Sequence, residues 1–294
     1  MDTITEYDYA TATAPATPQK PNKVLRWSLF ALLLLVVPAL ICAGFIGLMV
    51  SLDRPETKTE RAARQFEYLG GRIEYDDEVA SEVGLLLEDD GYRGRPVTGV
   101  LLDESTIGDG DLASLVDFPH LKLLSLTDTA ITNDGLRDIA GLTQLEQLYL
   151  DETQITDAGL AHLEKLDNLR LLALSDTRID GSGLAHLTNS KRLDSVKLSN
   201  TRLQGEELAH VAQWYRLEYL NLAQTDVDDE GLKHLASLRK LTTLDLSNTQ
   251  VRGPGLAALA HSRRLAWLDL SQLELEAESL AHLSALHRLE TLVL

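Results

Sequence analysis

From Leu121 onward, apolar side chains return at fixed places in a 24-residue frame. The frames begin at Leu121, Leu145, Leu169, Leu193, Leu217, Leu241, Leu265 and Leu289 without an insertion, and a weaker copy begins at Val97. Within a frame the apolar positions are 1, 4, 6, 11, 16, 19 and usually 22. The copy at 145 shows them as Leu145, Leu148, Leu150, Ile155, Leu160, Leu163 and Leu166. Positions 4 and 6 are two apart, so they point the same way from a strand. Positions 16 and 19 are three apart, so they share one helix face. The pattern predicts a strand, a turn and a helix in each frame, with Asp134 or Asp157 near the helix start as a cap.

One frame cannot fold alone. Its seven apolar side chains give roughly 10–20 kcal/mol on burial. Ordering 24 backbones costs about 1–2 kcal/mol each. Neighbouring frames must therefore share their cores, which makes a solenoid.

The residues Leu145, Leu148, Leu150, Thr153 and Ile155 match, one by one, the signature of the leucine-rich repeat family. The run Ile155 to Leu160 resembles the cysteine-containing subtype found in F-box adaptors, with threonine in place of the cysteine. It is more similar still to the repeat proteins of planctomycete bacteria, which often carry an N-terminal membrane anchor and a Gly-Gly segment like Gly70-Gly71. The resemblance covers residues 97–294. It implies an α/β leucine-rich-repeat solenoid, with parallel strands on the concave face and helices on the convex face. In the family, position 9 turns inward and its side chain joins a hydrogen-bonded ladder to neighbouring backbones. Here that position is Thr129, Thr153, Thr177, Thr201, Thr225 and Thr249, and the expected role is structural. Leu273 breaks the series.

Upstream of the repeats the pattern changes twice. Residues 1–26 are rich in Ala, Thr and Pro without an apolar period, and read as a disordered tail. Residues 27–52 carry no charge. Twenty-six helical residues reach about 39 Å, against a hydrocarbon core of about 30 Å, so this run predicts one transmembrane helix. Its length favours a retained signal anchor over a cleaved signal peptide. The residues before Cys42 do not suit a lipoprotein. Residues 53–96 read as a stalk and N-terminal cap, with helical character from Thr57 to Leu69 and a short strand over Arg72-Ile73-Glu74-Tyr75. The solenoid is 97–294. Lys and Arg flank the apolar run on both sides, and a short N-terminal tail favours delivery of the large domain outside the cytoplasm.

Charge narrows the partners. The formal net charge is −18. Residues 1–26 balance three acids with three bases and 27–52 have none, so the whole excess sits on 53–294. Such a surface repels phosphate backbones, and nucleic acid is excluded as a partner. A single cysteine, Cys42, leaves no disulfide framework and no cysteine metal site.

Positions 3, 5 and 7 of each strand point away from the core, and equal positions form rows about 4.8 Å apart. Two exposed patches are expected on this face. The first is Leu123, Tyr149 and Leu171. The second is Tyr219 and Trp267, with Asn221, Asp245 and Asp269 beside them. Aromatic anchors among small polar residues suit a protein partner. Position 8 changes from Glu104, Asp128, Glu152 and Asp176 to Asn200, Gln224, Asn248 and Gln272. With Asp103 and Asp151 at position 7, the first half makes an acidic ridge, which a basic partner or a weakly held calcium ion could use and which reads first as a solvated edge. A histidine row at position 18 (His162, His186, His210, His234, His282) repeats with its segment and implies no metal.

No phosphate loop, H-E-x-x-H or G-x-S-x-G is present. No enzyme activity and no cofactor are expected. The pattern points to a membrane-anchored protein-interaction module of a bacterial envelope, binding a partner through its concave face. Two alternatives stand: a scaffold that self-associates through its C-terminal edge, where the ninth copy stops after its strand, and a cytoplasmic F-box-like adaptor.

Overall fold

A computed structural model describes residues 56–76, 95–276 and 278–294. The expected tail, the expected transmembrane helix at 27–52 and part of the 53–96 segment lie outside the described residues. Among the described residues no helix is long and apolar enough to cross a membrane.

Helix α1 (Lys58–Tyr68) begins with a reciprocal cap. The Thr57 hydroxyl accepts from the Glu60 amide at 3.1 Å, and the Thr57 amide donates to the Glu60 carboxylate at 2.7 Å. The chain leaves the helix through Gly70, whose φ of 93° is left-handed. It returns as β1 (Arg72–Tyr75), antiparallel to β2 (Val97–Leu101), with Ile73 opposite Val100. Ala62, Ala63 and Phe66 of α1 are buried, and the Phe66 ring lies 5.9 Å from that of Phe118. This closes the first edge of the array with apolar contact.

From β2 every further pairing is parallel and in sequence order: β3 (Leu123–Ser125), β4 (Gln147–Tyr149), β5 (Leu171–Ala173), β6 (Ser195–Lys197), β7 (Tyr219–Asn221), β8 (Thr243–Asp245), β9 (Trp267–Asp269) and β10 (Thr291–Val293). The register is one frame per strand, as in Leu123–Gln147–Leu171. All seven apolar positions of the copy at 145 are fully buried, and the copy at Val97 is built as completely as the rest. One core runs the length of the array.

The return segments differ from the expectation of a helix. Most are 3₁₀ turns, such as Ser182–Leu187 and Pro254–His261, or single α-turns, such as Asp157–Leu160 and Asp229–Leu232. Positions 16, 19 and 22 are spaced by three, and a 3₁₀ helix has three residues per turn. Its apolar side chains eclipse along one line, where an α-helix would let them drift around the axis. The expected caps also shift by one or two residues. Thr132 caps Asn133–Ile139, its hydroxyl accepting from the Asp134 amide at 3.3 Å. Asp157 is the first helical residue and serves the next repeat instead.

Candidate interaction surface on the concave sheet

Each parallel strand ends at position 5, and position 8 turns the chain. All eight position-8 residues, from Glu104 to Gln272, have φ between 52° and 59°. Asp and Asn tolerate this left-handed backbone better than most residues. Each of the first seven position-8 amides still bonds the next repeat, as in Asp176 N–H to the Ser199 carbonyl at 2.9 Å. The left-handed turn accounts for the Asp and Asn of this row, and not for Glu104, Glu152, Gln224 and Gln272. Glu104, Asp128, Glu152 and Asp176 are exposed. At position 7, Asp103 accepts from the Thr127 amide at 3.1 Å and from the Ser125 hydroxyl. Asp151 accepts from the Ser175 amide at 2.7 Å. Those two acids tie one repeat to the next.

The threonine row is structural but is not an inter-repeat ladder. Each hydroxyl donates to the position-6 carbonyl of its own repeat: Thr129 to Leu126, Thr153 to Leu150, Thr177 to Leu174, Thr201 to Leu198, Thr225 to Leu222 and Thr249 to Leu246, at 2.6–2.8 Å. Ser105 does the same for Leu102 at 2.6 Å. The short side chain reaches back three residues and satisfies a carbonyl that faces the core.

Further polar links between repeats come from position 13, where the sequence suggests only a helix cap at Asp157. Asp109 accepts from the Thr132 amide at 2.8 Å, and Asn133 from the Thr156 amide at 2.9 Å. Asp157 accepts from the amides of Asp180, Gly181 and Gly183 at 2.8–3.0 Å. Asp229 repeats this with Arg252, Gly253 and Gly255 at 2.6–3.0 Å. The signal was present as a recurrent Asp or Asn after position 12.

On the outward face of the sheet the two expected patches prove unequal, and neither is fully exposed. Leu123, Tyr149 and Leu171 are each half-buried. Register separates them: Leu123 and Leu171 flank Gln147, whereas Tyr149 lies between buried Ser125 and Ala173. Small Ala173 lets Lys197 reach across a strand, its Nζ 5.9 Å from the Tyr149 ring centroid. The Tyr149 hydroxyl donates to Gln147 at 3.3 Å. Burial, then the nearby Asp151 and Asp103 charges, push the Tyr149 hydroxyl above its ordinary pKa. Burial also raises Asp151, against the Ser175 amide and Lys197, which lower it. The first patch is thus occupied by its own polar neighbours.

The second patch is in register. Tyr219, Thr243 and Trp267 form one row, and Asn221, Asp245 and Asp269 the next. All six are half-buried. Tyr219 and Trp267 stand two strands apart, roughly 10 Å, with Thr243 between them. The second row is held in place by local bonds. Asn221 Oδ1 accepts from the Ala223 amide at 2.9 Å, Asp245 Oδ1 from the Ser247 amide at 3.0 Å, and Asp269 Oδ1 from the Ser271 amide at 2.7 Å.

Elsewhere the chemistry is sparse. A groove of about 720 Å³ opens on the loop side at Gln204, Asp226, Asp228, Glu230 and Lys233. Two of its four acids are engaged: Asp228 caps the helix behind it and Glu230 pairs with Lys233 at 2.5 Å. Among the described residues no group of three or more His, Asp or Glu could hold a metal ion. His186, His234 and His282 are exposed, and His210 lies 3.3 Å from Glu207.

Comparison with known proteins agrees with this geometry. The leucine-rich repeat family model matches residues 119–140, 217–236 and 237–260. Among solved structures, internalin C2 from Listeria monocytogenes superposes with a TM-score of 0.56 at 22% identity, over 67% of this chain and 80% of that one. The plant peptide hormone receptor RGFR1, solved in complex with RGF2, gives a TM-score of 0.52 at 18% identity, over 71% of this chain and 37% of the receptor. The ectodomain of the Arabidopsis thaliana membrane receptor kinase GASSHO1/SCHENGEN3 gives 0.50 at 20% identity, over 68% and 27%. The chain thus spans well under two thirds of either plant receptor. A search of curated proteins returned no match. The described array thus has the fold of a leucine-rich-repeat solenoid, with parallel strands in sequence order.

Proposed function

We propose that this solenoid is a protein-interaction module that receives its partner on the concave sheet face, and that it is not an enzyme. The observation that carries the reading is the row Tyr219–Thr243–Trp267. It sets two large aromatic side chains in register on a sheet face, half-exposed, beside a polar row already fixed by its own turns. Rigid aromatics among small polar groups contribute binding energy at low ordering cost. Two of the structural neighbours, the plant receptors, were solved with a bound peptide or protein factor, and this reading brings that role to the present chain.

The apolar run at 27–52 is proposed to hold the module at a membrane, with the solenoid outside the cytoplasm. Protease treatment of intact cells tests the side: the repeats should be cut without lysis, and full protection would place them inside. A photo-crosslinking amino acid at Trp267 of the whole chain tests the face. Adducts should form there, be lost with Tyr219→Ala, and be missing from a probe at Glu164 on the helical side. The same adducts from both positions would sink the concave-face reading.

A further inference from the structure

We propose that the second concave patch seats an arginine or lysine side chain of an extended partner segment. The inference rests on the concave-face reading and adds the partner's chemistry. Tyr219 and Trp267 form two walls about two strand spacings apart, roughly 10 Å, and Thr243 is the floor between them. Such a slot fits the apolar stem of a long side chain, and the aromatic rings attract its cationic head. Asp245 lies two residues along the strand from Thr243, and Asp269 is its partner on the next strand. Each carboxylate uses Oδ1 to close its own turn. Oδ2 of each makes no hydrogen bond among the described residues and is left to accept from a guanidinium or ammonium.

The two halves of the face show why this site is cationic in preference. In the earlier frames two acids have bases of their own. Lys197 acts on Asp151, and Arg170 pairs with Asp194 at 2.8 Å. In the second half no Lys or Arg occurs at positions 2–8 of the frames at 217, 241 and 265, which read Glu218–Gln224, Thr242–Asn248 and Ala266–Gln272. Asp245 and Asp269 therefore face outward with no base on their own part of the face, on a chain of net charge −18. That charge draws a basic segment in, and the aromatic walls choose where its side chain docks. Arginine suits the site better than lysine, because its planar fork serves two neighbouring carboxylates and stacks on an indole.

The test is selection of a displayed library of random peptides on the full-length chain. Four proteins are panned in parallel: wild type, Asp245→Asn/Asp269→Asn, Tyr219→Ala/Trp267→Ala, and Glu164→Gln/Asp167→Asn. The last removes the same charge from the helical side. Asparagine keeps the Oδ1 turn bonds, so the first variant should fold as wild type does, checked by circular dichroism. Wild type and the helical-side variant should both select peptides with Arg or Lys at one fixed position. Asp245→Asn/Asp269→Asn should lose that preference. Replacing the selected arginine by citrulline, its neutral analogue, should weaken binding about tenfold. If the citrulline peptide binds equally well, or the Asp→Asn variant keeps the basic preference, the cation site is overturned while the concave face stands. If Tyr219→Ala/Trp267→Ala selects the same peptides as wild type, the concave-face reading falls with it. No enrichment over the library on wild type overturns the proposal as well.

Discussion

Gly183 lies against the backbone of Asp157 in the preceding repeat. Its amide donates to the Asp157 carboxylate at 2.8 Å, and a Cβ placed on it would sit 2.5 Å from the Asp157 carbonyl oxygen and 2.7 Å from its Cα. Gly231 and Gly255, at the same place in their frames, likewise lie against backbone of the preceding repeat. Gly183→Ala should destabilise the array by about 1–3 kcal/mol, since backbone must move to admit the methyl group. The denaturation midpoint in urea measures it. An unchanged midpoint would show that the neighbouring turn yields freely.

The indole nitrogen of Trp214 donates to the Leu187 carbonyl one repeat back, at 3.1 Å, and the Ser190 amide shares that carbonyl at 3.0 Å. Trp214 and Ser190 are both fully buried. A large side chain at position 22 is thus accommodated by a small one in the copy before it. Trp214→Ala should cost about 3–5 kcal/mol through the cavity it leaves. The Ser190 hydroxyl is buried without a hydrogen-bond partner, so Ser190→Ala should be neutral or stabilising. Thermal unfolding of both variants checks the pair, and a large loss at Ser190→Ala would contradict the assignment.

Thr201 donates to the Leu198 carbonyl at 2.7 Å from a buried position. Thr201→Val keeps the shape and removes the donor. The carbonyl is then left without this partner, and a loss of about 1–3 kcal/mol is expected. Hydrogen exchange should show faster opening at that repeat and its neighbours. A uniform response along the whole array would point away from a local role.

Asp151 carries a pH dependence of unusual sign for a carboxylate. Burial raises its pKa in the fold, against the Ser175 amide and Lys197. The folded chain therefore holds a proton that the unfolded chain has released, and stability falls as pH rises from the ordinary carboxylate range through the raised value. Asp151→Asn keeps an oxygen for the Ser175 amide and has no proton to lose. The variant should match wild type in acid and exceed it in stability at neutral pH. Melting temperatures across pH measure this; a constant offset between the two proteins would refute it.

Much of this molecule was legible before its coordinates. The 24-residue frame and its seven apolar positions identified the solenoid, because every repeat must bury the same side chains against the next. The rows on the concave face followed from the period of two along a strand. Less could be read where one position serves two purposes. The acids of position 8 suggested an acidic ridge, yet the whole row takes a left-handed backbone, which by itself favours Asp and Asn. The threonines suggested bonds between repeats, yet a hydroxyl on so short a stem reaches its own turn first. Asp157 suggested a helix cap, yet its carboxylate reaches the next repeat.

Sequence alone determined that the chain forms stacked repeats of parallel strands, and which side chains build their shared core. Periodicity carries that information, since a pattern copied in phase admits one way of burying its apolar face. Tertiary structure decided which of the outward residues are free. Tyr149 and Asp151 share an aromatic-x-Asp spacing with Trp267 and Asp269, but Ala173 lets Lys197 reach the first pair across a strand. That neutralising contact spans 48 residues of chain, from Tyr149 to Lys197, and follows from register between strands, which no single repeat contains.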